Sequence, residues 1–167
     1  MRSASAQEVG ASNVVHLPCV PASVALARRA VSEDLRAAGI FDYAVSDAAL
    51  VISELLSNAI LHAYPLPGER LQVAWTVNGT SVELAVSDGG SATMPHASRP
   101  STSSVSGRGL TIVEHLSQTW GVRTEDVGLT VWAVLAAPRY DRRDDRDTRG
   151  PAVSQVTAAA RGGATQP

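Results

Sequence analysis

Hydrophobic and polar residues recur along this chain in two different periods, and the switches between them mark out its elements. Residues 14–20 read as a short first strand. From Ser23 the apolar positions Val24, Ala27, Val31 and Leu35 recur at helical spacing. Ser23 is placed to cap that helix and Gly39 to end it. Asp42 is placed to cap a second, longer helix through about residue 63, which Pro65 and Pro67 stop. Next comes the clearest local signal. Leu71, Val73, Trp75 and Val77 alternate, Asn78 and Gly79 follow, and Val82, Leu84 and Val86 alternate again, which predicts a β-hairpin with a tight turn at Asn78 and Gly79.

The periodicity then disappears. Residues 91–106 hold six Ser, two Thr and two Pro in 16 positions, with Met94 and Val105 as the larger apolar groups. A stretch of that length inside a domain reads either as a lid over a site or as a plain connector. Helical spacing returns over 109–119 through Leu110, Val113 and Leu116, and a strand pair follows at 120–124 and 127–136. The order β-α-α-β-β-α-β-β predicts an α+β fold. It is a two-layer α/β sandwich whose mixed, mainly antiparallel sheet carries about three long helices on one face.

At 167 residues the chain has room for one domain. Past residue 138, Arg and Asp interleave before Ala, Gly, Thr and Pro take over, so large apolar residues are too few to offset ordering entropy. The predicted organisation is a flexible N-terminus at 1–13, a globular domain at 14–138 with its lid at 91–106, and a disordered tail at 139–167.

Composition removes several chemistries. All 14 basic residues are Arg. Without Lys there is no Walker A phosphate loop, no Schiff-base or pyridoxal phosphate chemistry, and no strand Lys of the common protein-kinase fold. Cys19 is alone, so neither an internal disulfide nor a Cys-rich zinc site can form. The net charge of −2 argues against a generic nucleic-acid binder. The longest apolar run, residues 131–137, is too short to span a bilayer, and residues 1–13 lack a signal-peptide core. The expected location is cytoplasmic, with no membrane contact and no direct nucleic-acid contact.

Five elements could carry chemistry, and each has an ordinary alternative. Glu54, Asn58 and His62 fall at i, i+4 and i+8 on an otherwise apolar helix, with Ser57 beside them; such a stripe either meets a ligand or faces solvent. His62 reads better as a core histidine packed beneath a pocket. Asp88 shares strand parity with Val82, Leu84 and Val86, so its carboxylate points to the core side; the alternative is an Asp-Gly turn into Gly89 and Gly90. Gly107, Arg108, Gly109 and Leu110 open a helix, whose first N–H groups can bind an anion or simply form a flexible entry. Thr130, near the start of the last strand, reads as a plain β-former when taken alone.

Taken in order, these elements resemble the GHKL (Bergerat-fold) ATPases, which include gyrase B, heat-shock protein 90, histidine kinases and MutL. Within that group they are most similar to the stand-alone anti-sigma-factor serine kinases. The N box resembles the run from Glu54 through Asn58 and His62 to Tyr64. The first glycine box resembles Asp88-Gly-Gly90, the second Gly107-Arg-Gly109-Leu110-Thr-Ile-Val113, and the end of the domain Gly128-Leu-Thr130-Val-Trp132. The resemblance implies ATP and Mg²⁺ as cofactors. It implies that Asp88 accepts the adenine amine with Thr130 in support, and that Asn58 is the Mg²⁺ ligand. Gly90 belongs to the base-binding loop; Gly107, Arg108, Gly109 and Leu110 line the phosphates; and Glu54 is the general base. Arg108 or Arg99 is the candidate cation for transition-state charge. Ala92 stands where many relatives carry a further glycine, a departure that bears on turnover more than on binding.

The activity implied is that of a regulatory serine/threonine protein kinase. Bound to ATP, it would hold a sigma factor, and it would phosphorylate a small anti-anti-sigma antagonist; a homodimer is expected. The alternatives are a nucleotide-gated binding module of the same fold without significant kinase activity, and an interaction domain that has lost ATP.

Overall fold

The structure, a computed structural model, describes residues 12–90 and 107–140. The predicted lid, with Ala92 and Arg99, lies outside the described residues, as do positions 1–11 and 141–167.

The element order matches the expectation: β1 (Ser12–Pro18), α1 (Ala22–Ala37), α2 (Asp42–His62), β2 (Arg70–Asn78), β3 (Ser81–Asp88), α3 (Gly107–Leu116), β4 (Thr119–Thr124) and β5 (Leu129–Ala136). The five strands form one sheet in the order β1-β2-β3-β5-β4. Every neighbouring pair in it is antiparallel, so the sheet is purely antiparallel rather than mixed.

Helix α2 forms the centre of the core. Ala44, Val45, Ala48, Val51, Ile52, Leu55, Leu56 and Ala59 are all buried on it. They cover too much of the circumference for a surface helix, because α2 packs on α1, on α3 and on the sheet. Its length and hydropathy would also suit a membrane span, yet these apolar residues are spent inside the domain. Helix α1 buries a narrower stripe at Ser23, Ala27, Val31 and Leu35. The sheet answers with Leu71, Val73, Trp75 and Val77 from β2 and Val82, Leu84 and Val86 from β3, all buried. Burying each such Val or Leu side chain contributes about 1.5–3 kcal/mol before entropy is counted.

Several local expectations are corrected. Ser23 does not cap α1. Pro21 occupies the N-cap, and Ser23, buried within the first turn, donates its hydroxyl to the Pro18 carbonyl at 2.6 Å. Asp42 does not cap α2 either. Phe41 holds that place, and Asp42 lies in the first turn, where Arg36 reaches its carboxylate at 3.3 Å. The hairpin register pairs Asn78 with Ser81, so the turn residues are Gly79 and Thr80, one position later than expected.

The described structure also includes residues on either side of 14–138. Strand β1 starts at Ser12, and the chain stays docked through Tyr140. Its N–H donates to the Gly39 carbonyl at 2.9 Å, and its ring lies 4.1 Å from that of Phe41. Arg139 bridges Ile40.

One side chain ties the helical layer to the sheet. Asp34 on α1 accepts both the Trp75 indole N–H at 2.7 Å and the Asn13 amide at 2.8 Å. Trp75 is buried, so removing the acceptor strands its N–H. Asp34→Ala is expected to lower the unfolding free energy by about 1–3 kcal/mol. Asp34→Asn, which keeps one amide oxygen, should cost less. Urea titration of the three proteins checks both.

Candidate functional site

Glu54 and Asn58 are one helical turn apart on α2 and both are half-buried, as is Ser57. Facing Glu54 is the first turn of α3. A Cβ built on Gly109 would lie 2.7 Å from Glu54 Oε2, so only a glycine leaves the carboxylate in its present place. The helix start brings N–H groups and a positive dipole end to the same spot, which suits an anion. Leu110 is half-buried behind it. Gly107 begins the helix. The Arg108 side chain lies outside the described residues.

His62 departs from the expectation. It sits at the last residue of α2 and is exposed rather than packed beneath a pocket.

The chain leaving α2 runs against the loop that follows β3. Gly89 N–H donates to the Tyr64 carbonyl and Tyr64 N–H donates to the Gly90 carbonyl, each at 2.7 Å. This two-bond tie fixes Asp88, Gly89 and Gly90 to the C-terminal end of α2. Asp88 itself is 4% exposed. Its Oδ1 accepts the Gly90 N–H at 2.7 Å. Burial pushes the carboxyl above its usual value, and the Gly90 N–H opposes that rise in part. On the other side, Gly128 closes over the loop. A Cβ there would land on the Asp88 carbonyl oxygen, and the residue's φ of +93° is one that side chains resist.

The two ends form one constellation along α2. From Glu54 to His62 the helix rises roughly 12 Å at 1.5 Å per residue. A glycine cradle and a carboxylate stand at one end, a buried hydrogen-bond acceptor at the other, and Asn58 between them. An extended nucleoside triphosphate is of comparable length. Among the described residues no group of three or more His, Cys, Asp or Glu could hold a metal by itself. One amide oxygen still suits Mg²⁺, which keeps several waters and takes further ligands from phosphates. The donor set therefore fits a Mg-nucleotide.

Thr130 does not join this constellation. It pairs with Ser87 across β3 and β5, and their hydroxyl oxygens are 2.7 Å apart. Ser87 and Asp88 are consecutive and point to opposite faces of the sheet. Thr130 is thus on the reverse face, where it donates to Glu125 Oε1 at 3.2 Å. The residue paired with Asp88, and on its face, is Leu129. The residue that motif order passed over is therefore apolar, and only the strand register reveals it.

A family model for histidine kinase-like ATPase domains matches residues 17–135. The chain belongs to that family. A comparison with curated proteins finds no match. The matched span opens within β1 and closes within β5, so it takes in both ends of the constellation along α2. In a histidine kinase-like ATPase domain the expected ligand is ATP, usually with Mg²⁺, in agreement with the donor set.

Two outcomes test this geometry. Gly128→Ala should cost more than about 2 kcal/mol, because strain and a backbone clash combine; chemical denaturation measures it. Asp88→Asn should behave in the opposite way. A carboxyl whose folded pKa is raised stabilises the fold fully below its unfolded value of 3.8, and that contribution is lost as pH rises through the folded value. Ligand-free Asp88→Asn should therefore melt higher than wild type at pH 7. The gap should narrow as pH falls through the raised folded value, where the wild-type carboxyl is protonated and, like the asparagine, uncharged.

Proposed function

We propose that this histidine kinase-like ATPase domain is an ATP-dependent serine/threonine protein kinase acting as an anti-sigma factor, with a small anti-anti-sigma antagonist as its phosphoacceptor. The observation that carries the catalytic part of this reading is the juxtaposition of the Glu54 carboxylate with the Gly109 end of α3. A proton acceptor stands beside an anion-binding helix start, the pairing that phosphoryl transfer to a hydroxyl requires.

In this reading Asp88 and Gly90 hold the base, and Gly107, Arg108, Gly109 and Leu110 line the phosphates through backbone N–H groups. Asn58 supplies its side-chain oxygen to Mg²⁺. When bound, Mg-ATP supplies an activated phosphoryl group with much of its charge already neutralised. Glu54 would orient the incoming serine hydroxyl and take its proton; the phosphoryl group would pass to the serine oxygen as its bond to the bridging oxygen breaks, with ADP as the leaving group.

A groove that reaches Glu54 supports docking of a protein-sized substrate. A groove of about 780 Å³ runs between α1 and α2 on their solvent side, bordered by Arg28, Arg29 and Arg36 on α1 and by Leu50, Ser53 and Glu54 on α2. Phosphorylating a docked serine adds nearly two negative charges, enough to change the affinity of the surface that carries it. Anti-sigma activity then follows if the sigma factor and the antagonist prefer different nucleotide states, since a ligand shifts an equilibrium only through differential affinity. The resemblance to stand-alone anti-sigma-factor kinases supports these partners, a homodimer and a cytoplasmic location.

Calorimetric titration with Mg-ATP, paired with transfer of labelled γ-phosphate to the antagonist, tests the assignment. Wild type should bind and transfer. Glu54→Ala should keep ATP affinity while transfer falls by about 10²–10⁴-fold, the usual contribution of a positioned base. Gly109→Ala should fold normally, because alanine favours a helix, yet lose transfer as its methyl displaces the carboxylate. Transfer surviving in Glu54→Ala would overturn the assigned base. Binding without transfer by wild type would leave the nucleotide-gated module, and absence of binding heat would end both readings.

A further inference from the structure

At the Asp88 end of the sheet, every strand hydroxyl adjacent to the carboxylate faces away from it. Thr130 Oγ1 spends its one proton on Glu125 and so accepts from Ser87, which leaves both hydroxyls engaged on the reverse face. On the Asp88 face the neighbouring strands contribute hydrocarbon. Leu129 pairs with Asp88 in the β3–β5 ladder. Extending the β2–β3 register by one residue puts fully buried Leu71 on the other side, and Leu17 pairs with Leu71 beyond it. The next strand hydroxyl on this face is Thr124, the partner of Leu129 on β4. It stands two strands from Asp88, roughly 10 Å away at the usual strand spacing.

We infer that Leu129 sets base selectivity: among the described residues, the strand side chains read the base through a single acceptor, Asp88, and none of them meets the ring nitrogen beside the amine. The inference rests on the nucleotide reading proposed above and adds to it. An ionised carboxylate accepts and does not donate, so it selects an exocyclic amine. The adjacent ring nitrogen of adenine is an acceptor and needs a donor, and the residue at the position flanking Asp88 offers only methyl groups. One oxygen of Asp88 is already occupied by the Gly90 N–H. That disfavours two parallel bonds to a base with adjacent donors, such as guanine.

The test is calorimetric binding of the Mg complexes of three triphosphates: ATP, its 1-deaza analogue (ring nitrogen replaced by C–H) and purine riboside triphosphate (amine deleted). For wild type, the 1-deaza analogue should bind within about fivefold of ATP, whereas deleting the amine should cost more than that, since the second change alone strands a buried charged acceptor. Leu129→Thr places a hydroxyl beside Asp88 and should favour ATP over the 1-deaza analogue by about fivefold or more, the value of one added hydrogen bond. Thr130→Val, on the reverse face, should leave ATP affinity within about threefold, well under one lost hydrogen bond to the base.

A wild-type loss beyond about fivefold for the 1-deaza analogue, or a large loss of ATP affinity in a well-folded Thr130→Val, would overturn the inference. The amine arm would still stand in that case. Equal binding of ATP and purine riboside triphosphate would instead remove Asp88 as the base reader, which is a failure of the underlying reading.

Discussion

Helix α2 must satisfy two demands at once, and that constraint organises the whole domain. Its apolar residues are the centre of the core, packed on the sheet and on both other helices. The same helix must present Glu54 and Asn58 to one side without burying either carboxylate or amide completely. Both demands are met because the polar pair occupies a single i, i+4 row where α3 begins rather than where it is fully packed. The glycine at that point leaves room for a carboxylate that a side chain would displace. The site is thus an edge of the core rather than a cleft added to the surface.

The far end of the site carries a cost that packing alone does not justify. A carboxyl that is almost inaccessible, relieved by one backbone N–H, disfavours the fold at neutral pH. Its surroundings nonetheless hold it firmly. Gly89 and Gly90 are hydrogen-bonded to the segment leaving α2, and Gly128 is pressed onto the Asp88 backbone. A desolvated acceptor held by three close backbone approaches is what a preorganised recognition group requires.

Much of this was legible in the residues themselves, and the exceptions have a common cause. Element order, the hairpin and the core-facing parity of Asp88 follow from local alternation, which sets the face of each strand. Thr130 falls on the face opposite Asp88 because the phase of β5 relative to β3 is a register between distant segments, which motif order does not encode. The helix caps failed for a related reason. Ser23 and Asp42 are good caps by chemistry, but tertiary packing drew Ser23 into the core and left Asp42 to Arg36. His62 continues the helical stripe of Glu54 and Asn58 but, as the last residue of α2, lies past the point where packing ends. The docking of Tyr140 on Phe41 was hidden by the polar composition that follows it. The proximity of Glu54 to Gly109 depends on how α3 meets α2, and no pattern along the chain states that directly; only the family resemblance anticipated it.

In the proposed nucleotide reading, the two ends of α2 border one ligand site. Amide chemical shifts followed during titration with Mg-ATP test it most directly. Gly90 at one end and Gly109 at the other are expected to shift together and saturate at the same nucleotide concentration, with the Asn58 side-chain amide between them. Shifts confined to one end, or two ends saturating independently, would contradict it.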